Sequence, residues 1–305
     1  MSIQYVDHHQ IDPTKWDSAI LRSPQPLVYG LFEYLNAVCE SQWDALIYND
    51  YEAVFPLPFK KKFGIKYIVQ PVFCQQLGAF GSTVNVSTHH FLSAIPKRFL
   101  RVRLQLNPYF DQTNEVESIQ TKPAGIIASS GNLTTKTNMT IQLSQPLDYN
   151  KDCKKNLHRL AELPIEYKIN AISIRDAIDT YRKAWGKQNP EIGDEHYQLF
   201  ANACTEKLSF TVTAHHQKEG TLLGAAIFLI TPENANRSLH YVCAGPTEMG
   251  KSIGVMHGII DFVLNRYQGG NMLFDFEGSS IVSVASFYKK FGASEEPFFC
   301  FNRGF

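Results

Sequence analysis

The chain has 305 residues, with 29 Lys or Arg against 29 Asp or Glu, so its formal net charge is +0, and 44% of its residues are hydrophobic. This balance argues against a protein that grips nucleic acid through a bulk basic excess and against a disordered acidic chain. The length fits two domains of about 150 residues better than one.

The first half of the chain is predicted to mix helices and strands. Apolar residues recur at helical spacing in 28–40, which predicts a helix there. The β-rich segments 44–48 and 51–56 flank Asn49 and Asp50, which predicts a hairpin. Further along, the pattern indicates a strand over 67–72, a helix over 89–95 and a strand over 99–106.

The second half is predicted to start near residue 146, which gives domains of 1–145 and 146–305. A basic helical segment follows the boundary, and Ser173 and Asp194 are expected to open two further helices. The pattern then predicts three antiparallel strands, a loop, and an alternation of helix and strand. These elements are expected at 210–215, 222–230 and 238–244 for the strands, 253–267 for the helix, 272–276 for a strand, 281–291 for a helix and 297–301 for a strand.

Residues 245–252 (GPTEMGKS) match the phosphate-binding pattern G-x-x-x-x-G-K-[ST]. Only 53 residues follow Ser252, too few for the remaining βα units of a doubly wound nucleotide-binding sheet. A glycine-containing turn into a helix still suits a pyrophosphate, with Lys251 as a nearby positive charge. The alternative is that Gly250 and Gly254 serve only a tight turn and close helix packing.

Cysteine, histidine and apolar patterns argue against several other classes. The six cysteines show no C-x-x-C pair or zinc spacing, and no His/acid set has metal-ligand spacing, so we expect no metal site. His240 and His257 are interpreted as packed side chains. Without an apolar leader or a long apolar run, the sequence predicts a cytoplasmic protein with no membrane insertion.

The last part of the chain resembles the GNAT acyltransferase superfamily. Antiparallel strands, a glycine-containing turn into a helix, a strand and then a helix with FYKKFGA at 287–293 are similar to its core. The segment FDFEGSSIVSVASFYKKFGA at 274–293 and the segment 56–81 more closely resemble the FemAB/FemX-like branch. The resemblance implies an α/β (α+β) chain of two tandem GNAT-like domains, whose mixed, largely antiparallel sheets are flanked by helices.

The resemblance also implies a donor site in the second domain. It assigns coenzyme A binding to Gly250, Lys251, Ser252, Ile253 and Gly254, although Lys251 stands where the family motif has Gln or Arg. It places Tyr288 where the family has the tyrosine that protonates the departing thiolate. The implied donor is acyl-CoA (acetyl-CoA) or, as in FemX-type members, aminoacyl-tRNA. The neutral charge disfavours tRNA, whereas basic clusters at 60–62, 97–103 and 151–159 keep a tRNA donor open. The implied acceptor is a small-molecule or peptide amine.

Asp275 and Glu277 add a candidate base. Two residues apart in a predicted strand, they lie on one face, and adjacent carboxylates raise each other's pKa toward neutrality. The alternatives are a strand-end pair capping the next helix through Ser279 and Ser280, and a Tyr288 that is only a half-buried aromatic residue.

Together these features predict an N-acyltransferase that acts from a thioester or tRNA donor. Two other functions remain open: a catalytically inert GNAT-like binding protein, and a P-loop nucleotide-binding protein. In an enzyme, Glu277 and Tyr288 should face an open groove. In an inert protein, they should be buried in contacts.

Overall fold

The computed structural model describes residues 2–82, 86–107, 131–232, 237–278 and 281–304. Its internal contacts divide the chain into two compact units. The first unit comprises Met1–Lys136 and Pro297–Phe305, and the second comprises Thr137–Glu296.

The first unit contains a mixed sheet and three described helices. Its strands are β1 (Ile3–Val6), β2 (Trp43–Tyr48), β3 (Ala53–Lys62), β4 (Ile65–Val69), β5 (Phe80–Gly81) and β6 (Val102–Leu106), joined by residues 299–303 of β13 (Ser294–Arg303). They pair in the order β1-β2-β3-β4-β6-β13, with β5 on β3, and only the β4–β6 pair is parallel. The helices are α1 (Pro13–Leu21), α2 (Phe32–Cys39) and α3 (Thr88–Ala94).

The predicted hairpin of the first unit is confirmed, because β2 and β3 pair antiparallel with Leu46 opposite Phe55. The single helix predicted over 28–40 is wrong. A 3-10 turn at Val28–Gly30 precedes α2, and Leu31 between them is extended. The carbonyl of Gly30 accepts a hydrogen bond from the buried Trp16 indole at 2.8 Å, so it does not serve a continuous helix.

The second unit surrounds its sheet with six described helices. Its strands are β7 (Asn132–Gln142), which begins in the first unit, β8 (Ile165–Ile169), β9 (Ser209–His216), β10 (Leu222–Ile230), β11 (Arg237–Pro246) and β12 (Met272–Asp275). They pair in the order β7-β12-β11-β10-β9-β8, and only β11 and β12 are parallel. The helices are α4 (Lys151–Ala161), α5 (Ile174–Trp185), α6 (Asp194–Ala203), α7 (Glu248–Ile253), α8 (Met256–Tyr267) and α9 (Val282–Lys289).

Most predicted elements of the second unit are present. The Ser173 hydroxyl caps α5 by accepting from the Asp176 N–H, and β9, β10 and β11 are antiparallel as predicted. Asp194 is the first helical residue of α6, whereas the cap position belongs to Gly193. Strand β8 was not predicted, because it is short and half-buried and leaves little periodic signal.

The boundary predicted at 145 differs from the division by contacts at both ends of the second unit. Residues 299–303 pair with β6, so the end of the chain packs with the first unit. Each unit has its own hydrophobic core. Among the described residues, no helix combines the length and apolar character that crossing a bilayer requires.

Candidate functional site

The candidate site lies where the parallel pair of the second unit separates. β11 and β12 are in register from Arg237 with Met272 to His240 with Asp275, and this last pair ends β12. β11 continues for six residues beyond His240. Ligands commonly bind where the carboxyl ends of adjacent parallel strands diverge.

His240 joins the two predicted carboxylates. Its Nδ1 lies 3.0 Å from Glu277 Oε1 and 3.6 Å from Asp275 Oδ2. Its Nε2 lies 2.9 Å from the hydroxyl of Ser238, two residues earlier on β11. The predicted shared strand face is not present, because β12 ends at Asp275 and Glu277 follows it with a positive φ. The two carboxylates are nevertheless neighbours, and an imidazole lies between them.

The imidazole of His240 is protonated at neutral pH. Complete burial alone would lower its pKa, but hydrogen bonds and charge interactions with Asp275 and Glu277 outweigh burial and raise the pKa to about 9. In this charged form Nδ1 donates to Glu277 and Nε2 donates to the Ser238 hydroxyl. One imidazolium beside two carboxylates leaves the cluster with one formal negative charge.

A metal ion is a poorer interpretation of this cluster. The candidate ligand atoms of His240, Asp275 and Glu277 lie within 4.8 Å of one another. However, these side chains already pair with one another, and Asn138 also donates to Asp275 Oδ2 at 2.8 Å. We therefore interpret the cluster as an ion network.

The backbone after β12 presents Glu277 to the opening. The Glu277 N–H donates to Asp275 Oδ1 at 2.7 Å, and Glu277 adopts a positive φ of 66°. A side chain at Gly278 would overlap the Thr137 carbonyl, so the chain turns closely against β7. Left-handed non-glycine residues are costly and concentrate at functional sites. Ser279 and Ser280, the predicted capping partners, lie outside the described residues.

Tyr288 on α9 lies in an aromatic wall. Its ring stacks on Phe276 at 4.5 Å and meets Tyr241 edge-on at 6.3 Å. Burial, followed by the nearby carboxylates of Glu277 and Asp275, raises the pKa of the Tyr288 hydroxyl. The phenol therefore keeps its proton at neutral pH and is available as a donor.

A cavity of about 720 Å³ occupies the opening. Glu277 and Tyr288 both line it, and so does Val242, the extra residue at a bulge in β11. Trp185 and Tyr181 of α5 form another part of the wall. A volume of this size accommodates a small molecule or one end of a larger substrate.

The predicted cofactor residues divide into two groups. Gly250, Lys251 and Gly254 line the cavity. Ser252 and Ile253 are not among its lining residues. Ser252 donates to the Met249 carbonyl, and the Ile253 carbonyl accepts from Arg159.

The expected pyrophosphate loop is instead a broken helix. Residues 248–253 form α7, and Gly254, with φ of 74°, separates it from α8. The N–H groups of Gly254, Val255, His257 and Gly258 all donate to carbonyls within 250–255. Gly250 packs so closely on β10 that a Cβ would overlap the Leu223 carbonyl. Of the five predicted residues, Lys251 thus offers its ammonium group, which lies 5.6 Å from the centre of the Trp185 ring. The N–H groups of 254, 255, 257 and 258 are already bonded to carbonyls and do not form an anion-binding loop.

This geometry also removes the basis of the P-loop interpretation. In a P-loop the backbone wraps around phosphates before the helix starts, whereas Thr247 already caps α7 here by accepting from the Gly250 N–H. The neighbouring β10 and β11 are antiparallel rather than part of a doubly wound parallel sheet.

Sequence reasoning missed the role of His240 and the contribution of α5. Ser238 and His240 alternate at the start of the predicted strand 238–244, whose other residues are apolar or aromatic, and both are fully buried. A pair of polar side chains on the inner face of a predicted strand was the available signal. Trp185 carried no comparable signal, because only the packing of α5 on β11 brings it to the cavity. Its indole donates to the Ala244 carbonyl at 3.0 Å.

Comparisons with known proteins agree with the predicted resemblance. No family model matches the sequence, and neither does any curated protein. Among solved structures, FemX is similar with a TM-score of 0.65 and 11% identity, over 98% of this chain and 97% of that chain. L-PGS from Bacillus licheniformis is similar with a TM-score of 0.54 and 13% identity, over 96% and 92%.

A third similar structure is a tandem GNAT protein from the clavulanic acid biosynthesis pathway. Its TM-score is 0.53 at 9% identity, and the match covers 99% of this chain and 98% of that chain. At these identities the likeness establishes the fold, and it spans nearly the whole chain in all three cases. The predicted α/β architecture is confirmed: the chain has the FemX-like, tandem GNAT fold.

Proposed function

We propose that the protein is an N-acyltransferase that moves an acyl or aminoacyl group from an activated donor to a primary amine in the cavity of the second unit. The observation that carries this proposal is the presence of Glu277 and Tyr288 on the wall of one cavity. Glu277 accepts there from a buried, charged imidazole.

Glu277 is the group we assign to the acceptor amine. Its side chain is 18% exposed, whereas that of Asp275 is 2% exposed, so Glu277 is the carboxylate that a substrate can reach. The negative cluster attracts an ammonium group, and Glu277 takes the proton that the nitrogen must lose before it attacks a carbonyl carbon. His240 and Asp275 are positioning residues that hold the carboxylate in place.

Tyr288 is the group we assign to the leaving side of the reaction. Because its hydroxyl remains protonated at neutral pH, it can donate to the oxyanion or to the departing atom as the carbonyl bond to the donor breaks. The apolar rings of Phe276 and Tyr241 around it lower the local dielectric, which strengthens such a hydrogen bond.

The donor belongs to one of two classes, acyl-CoA or aminoacyl-tRNA. Each supplies an activated carbonyl, as a thioester or as an ester. Lys251 at the cavity wall suits a phosphate of either one. The N–H groups of 254, 255, 257 and 258 donate to backbone carbonyls and are not available to a pyrophosphate. This supports a donor that is held by other contacts. The acceptor is a small-molecule or peptide amine.

An inert binding protein is the competing function. It predicts that Glu277 and Tyr288 serve only packing. Against this stands the opening, because Glu277 and Tyr288 both line the cavity instead of being enclosed in packing contacts.

The test follows radiolabel transfer by the full chain. One arm uses labelled acetyl-CoA, and the other uses bulk tRNA charged with labelled amino acids, each with a panel of peptides and small amines. We expect one arm to give product and Glu277→Gln and Tyr288→Phe each to lower kcat by about 100-fold. Thermal unfolding confirms that each variant folds.

Two matched substitutions control for nonspecific effects. Glu166→Gln removes an exposed carboxylate paired with Lys168, and Tyr267→Phe removes a hydroxyl outside the cavity lining. Both should retain wild-type rates. Product from neither donor, or equal rates in Glu277→Gln and Glu166→Gln, would overturn the proposal.

A further inference from the structure

A strongly basic part of the first unit lies outside the cavity to which acyl transfer is assigned. From residue 53 to residue 110 the sequence contains eight Lys or Arg and no Asp or Glu, although the whole chain has a net charge of +0. The lysines fall at 60, 61, 62, 66 and 97, and the arginines at 98, 101 and 103. Such segregation within a neutral protein indicates an electrostatic surface.

The structure places exposed apolar side chains in the same region. Phe63, Ile65 and Leu100 are 93%, 57% and 68% exposed. Phe63 lies at the tip of the β3–β4 hairpin, directly after three exposed lysines, and Ile65 begins the returning strand. A cluster of large hydrophobic side chains with this exposure marks a site of interaction with a partner or a membrane.

Strand register places Leu100 near the hairpin. β4 and β6 run parallel, with Ile68 opposite Val102, and the Ile68 N–H donates to the Arg101 carbonyl at 2.9 Å. This register sets the residues before β6 beside the start of β4. Lys97, Arg98, Arg101 and Arg103 are exposed there.

The base of this surface is held by an ion network. Lys66 pairs with Asp44 at 2.8 Å, Tyr5 donates to the same carboxylate, and the Arg98 guanidinium lies 4.4 Å from the Tyr5 ring centre. The Asp44 side chain is only 4% exposed, so it supports the surface without presenting a negative charge there. We call Lys60, Lys61, Lys62, Phe63, Ile65, Leu100 and Arg101 the hairpin surface.

The hairpin tip places Phe63 in an unfavourable backbone conformation. Phe63 and Gly64 form a two-residue turn with φ values of 50° and 78°. Turns with both residues at positive φ favour Asn-Gly, and a bulky side chain at the first position is costly. A strained and almost fully exposed phenylalanine contributes little to the fold, which points to a role in binding.

We propose that the hairpin surface docks the protein onto an anionic lipid bilayer. Lysine and arginine side chains meet lipid phosphates, while Phe63, Ile65 and Leu100 enter the interfacial layer, as in peripheral membrane proteins. Among nucleic acids, a single strand would use the aromatic ring for stacking but would leave two aliphatic side chains exposed. The combination of basic and aliphatic groups therefore favours a lipid surface.

The test measures binding of the full chain to vesicles of phosphatidylcholine alone and with about 30% phosphatidylglycerol, a composition that makes the surface negative. We expect binding only to the anionic vesicles, and its loss in about 1 M salt, where the Debye length is about 3 Å. Replacing Lys60, Lys61 and Lys62 by Gln should weaken binding roughly 100-fold, since each surface lysine contributes about fivefold.

Phe63→Asn separates binding from folding. It should weaken vesicle binding about tenfold or more through lost apolar burial, while the melting temperature stays the same or rises, because Asn suits the turn. The matched control is Lys151→Gln with Lys154→Gln and Lys155→Gln, which removes three exposed lysines from α4 and should leave binding unchanged.

Parallel titrations with bulk tRNA distinguish the other class of partner. Equal binding to neutral and anionic vesicles, or equal losses in the β3 and α4 lysine variants, would overturn the proposal. The proposal would also be overturned if substitutions in the hairpin surface weakened tRNA binding and left vesicle binding unchanged. Vesicle binding is measured without donor or acceptor, so its result is independent of the acyl-transfer proposal.

Discussion

Raising the pH from 6.5 to 9 should weaken the second unit by about 3 kcal/mol, because His240 loses a proton that the folded state binds strongly. The pKa of this imidazole is raised from 6.5 to about 9 in the fold. One pKa unit corresponds to about 1.4 kcal/mol, so the difference of roughly 2.5 units sets the magnitude. The side chain is fully buried, so solvent does not screen its partners.

The sign follows from proton binding. Below pH 6.5 the imidazole is protonated in both folded and unfolded chains, and its full contribution to stability is present. Between 6.5 and about 9 only the folded chain holds the proton, so the free energy of unfolding falls by about 1.4 kcal/mol per pH unit. Above about 9 this contribution has been lost.

Other groups shifted by burial contribute mainly at the edges of this window. Burial lowers the pKa of His8 and His257 from 6.5, so their effects lie at lower pH. Burial raises the pKa of four thiols above 9.0, so their effect begins as the unfolded thiols ionise near that pH; these are Cys39, Cys153, Cys204 and Cys243. Wild type and His240→Gln share these groups, so the difference between the two proteins isolates His240.

Urea unfolding of the full chain, followed by circular dichroism at several pH values, measures the slope. Wild type should lose stability more steeply than His240→Gln between pH 6.5 and 9, and the two should converge as the pH approaches 9. His158→Gln is the matched control, since that histidine is 82% exposed and should keep the wild-type slope. Nitrogen-15 NMR of the histidine rings reads the pKa directly.

Parallel stability curves for wild type and His240→Gln would refute this reasoning. So would a ring signal for His240 that titrates near 6.5. Either result would mean that Glu277 and Asp275 do not hold a charged imidazole, and the assignment of His240 as a positioning residue would fall with it.

Two further predictions concern the helices around the site. Gly250→Ala should lower stability by roughly 3 kcal/mol in urea unfolding, because the new methyl group overlaps the Leu223 carbonyl, whereas Gly186→Ala, whose new Cβ would have only the Arg182 Cβ at 3.7 Å, should cost less than about 1 kcal/mol. Ser173→Ala should lower the free energy of unfolding by about 1 kcal/mol by removing the cap of α5, and an unchanged urea midpoint would contradict that role.

Local patterns in the sequence were sufficient for most elements. The alternation in 44–56 predicted the β2–β3 hairpin, and Ser173 marked the start of α5, because turn and cap preferences depend on neighbouring residues alone. The segment 287–293 carried the resemblance that led to the correct fold. Where a distant side chain intervenes, the local pattern failed, as at Gly30, whose carbonyl is taken by Trp16.

The sequence by itself determined the fold class and indicated Asp275 and Glu277 as neighbouring carboxylates, although Glu277 lies beyond the end of β12 rather than in the strand. Only the tertiary structure decided their partner, because the parallel register of β11 and β12 brings His240 beside Asp275 across 35 positions of sequence. It also turned most of the loop expected at 245–252 into the helix α7, which begins at Glu248, and Gly250 of this helix packs directly against β10. Strand register and helix packing depend on contacts between residues far apart in the chain, and no local pattern encodes them.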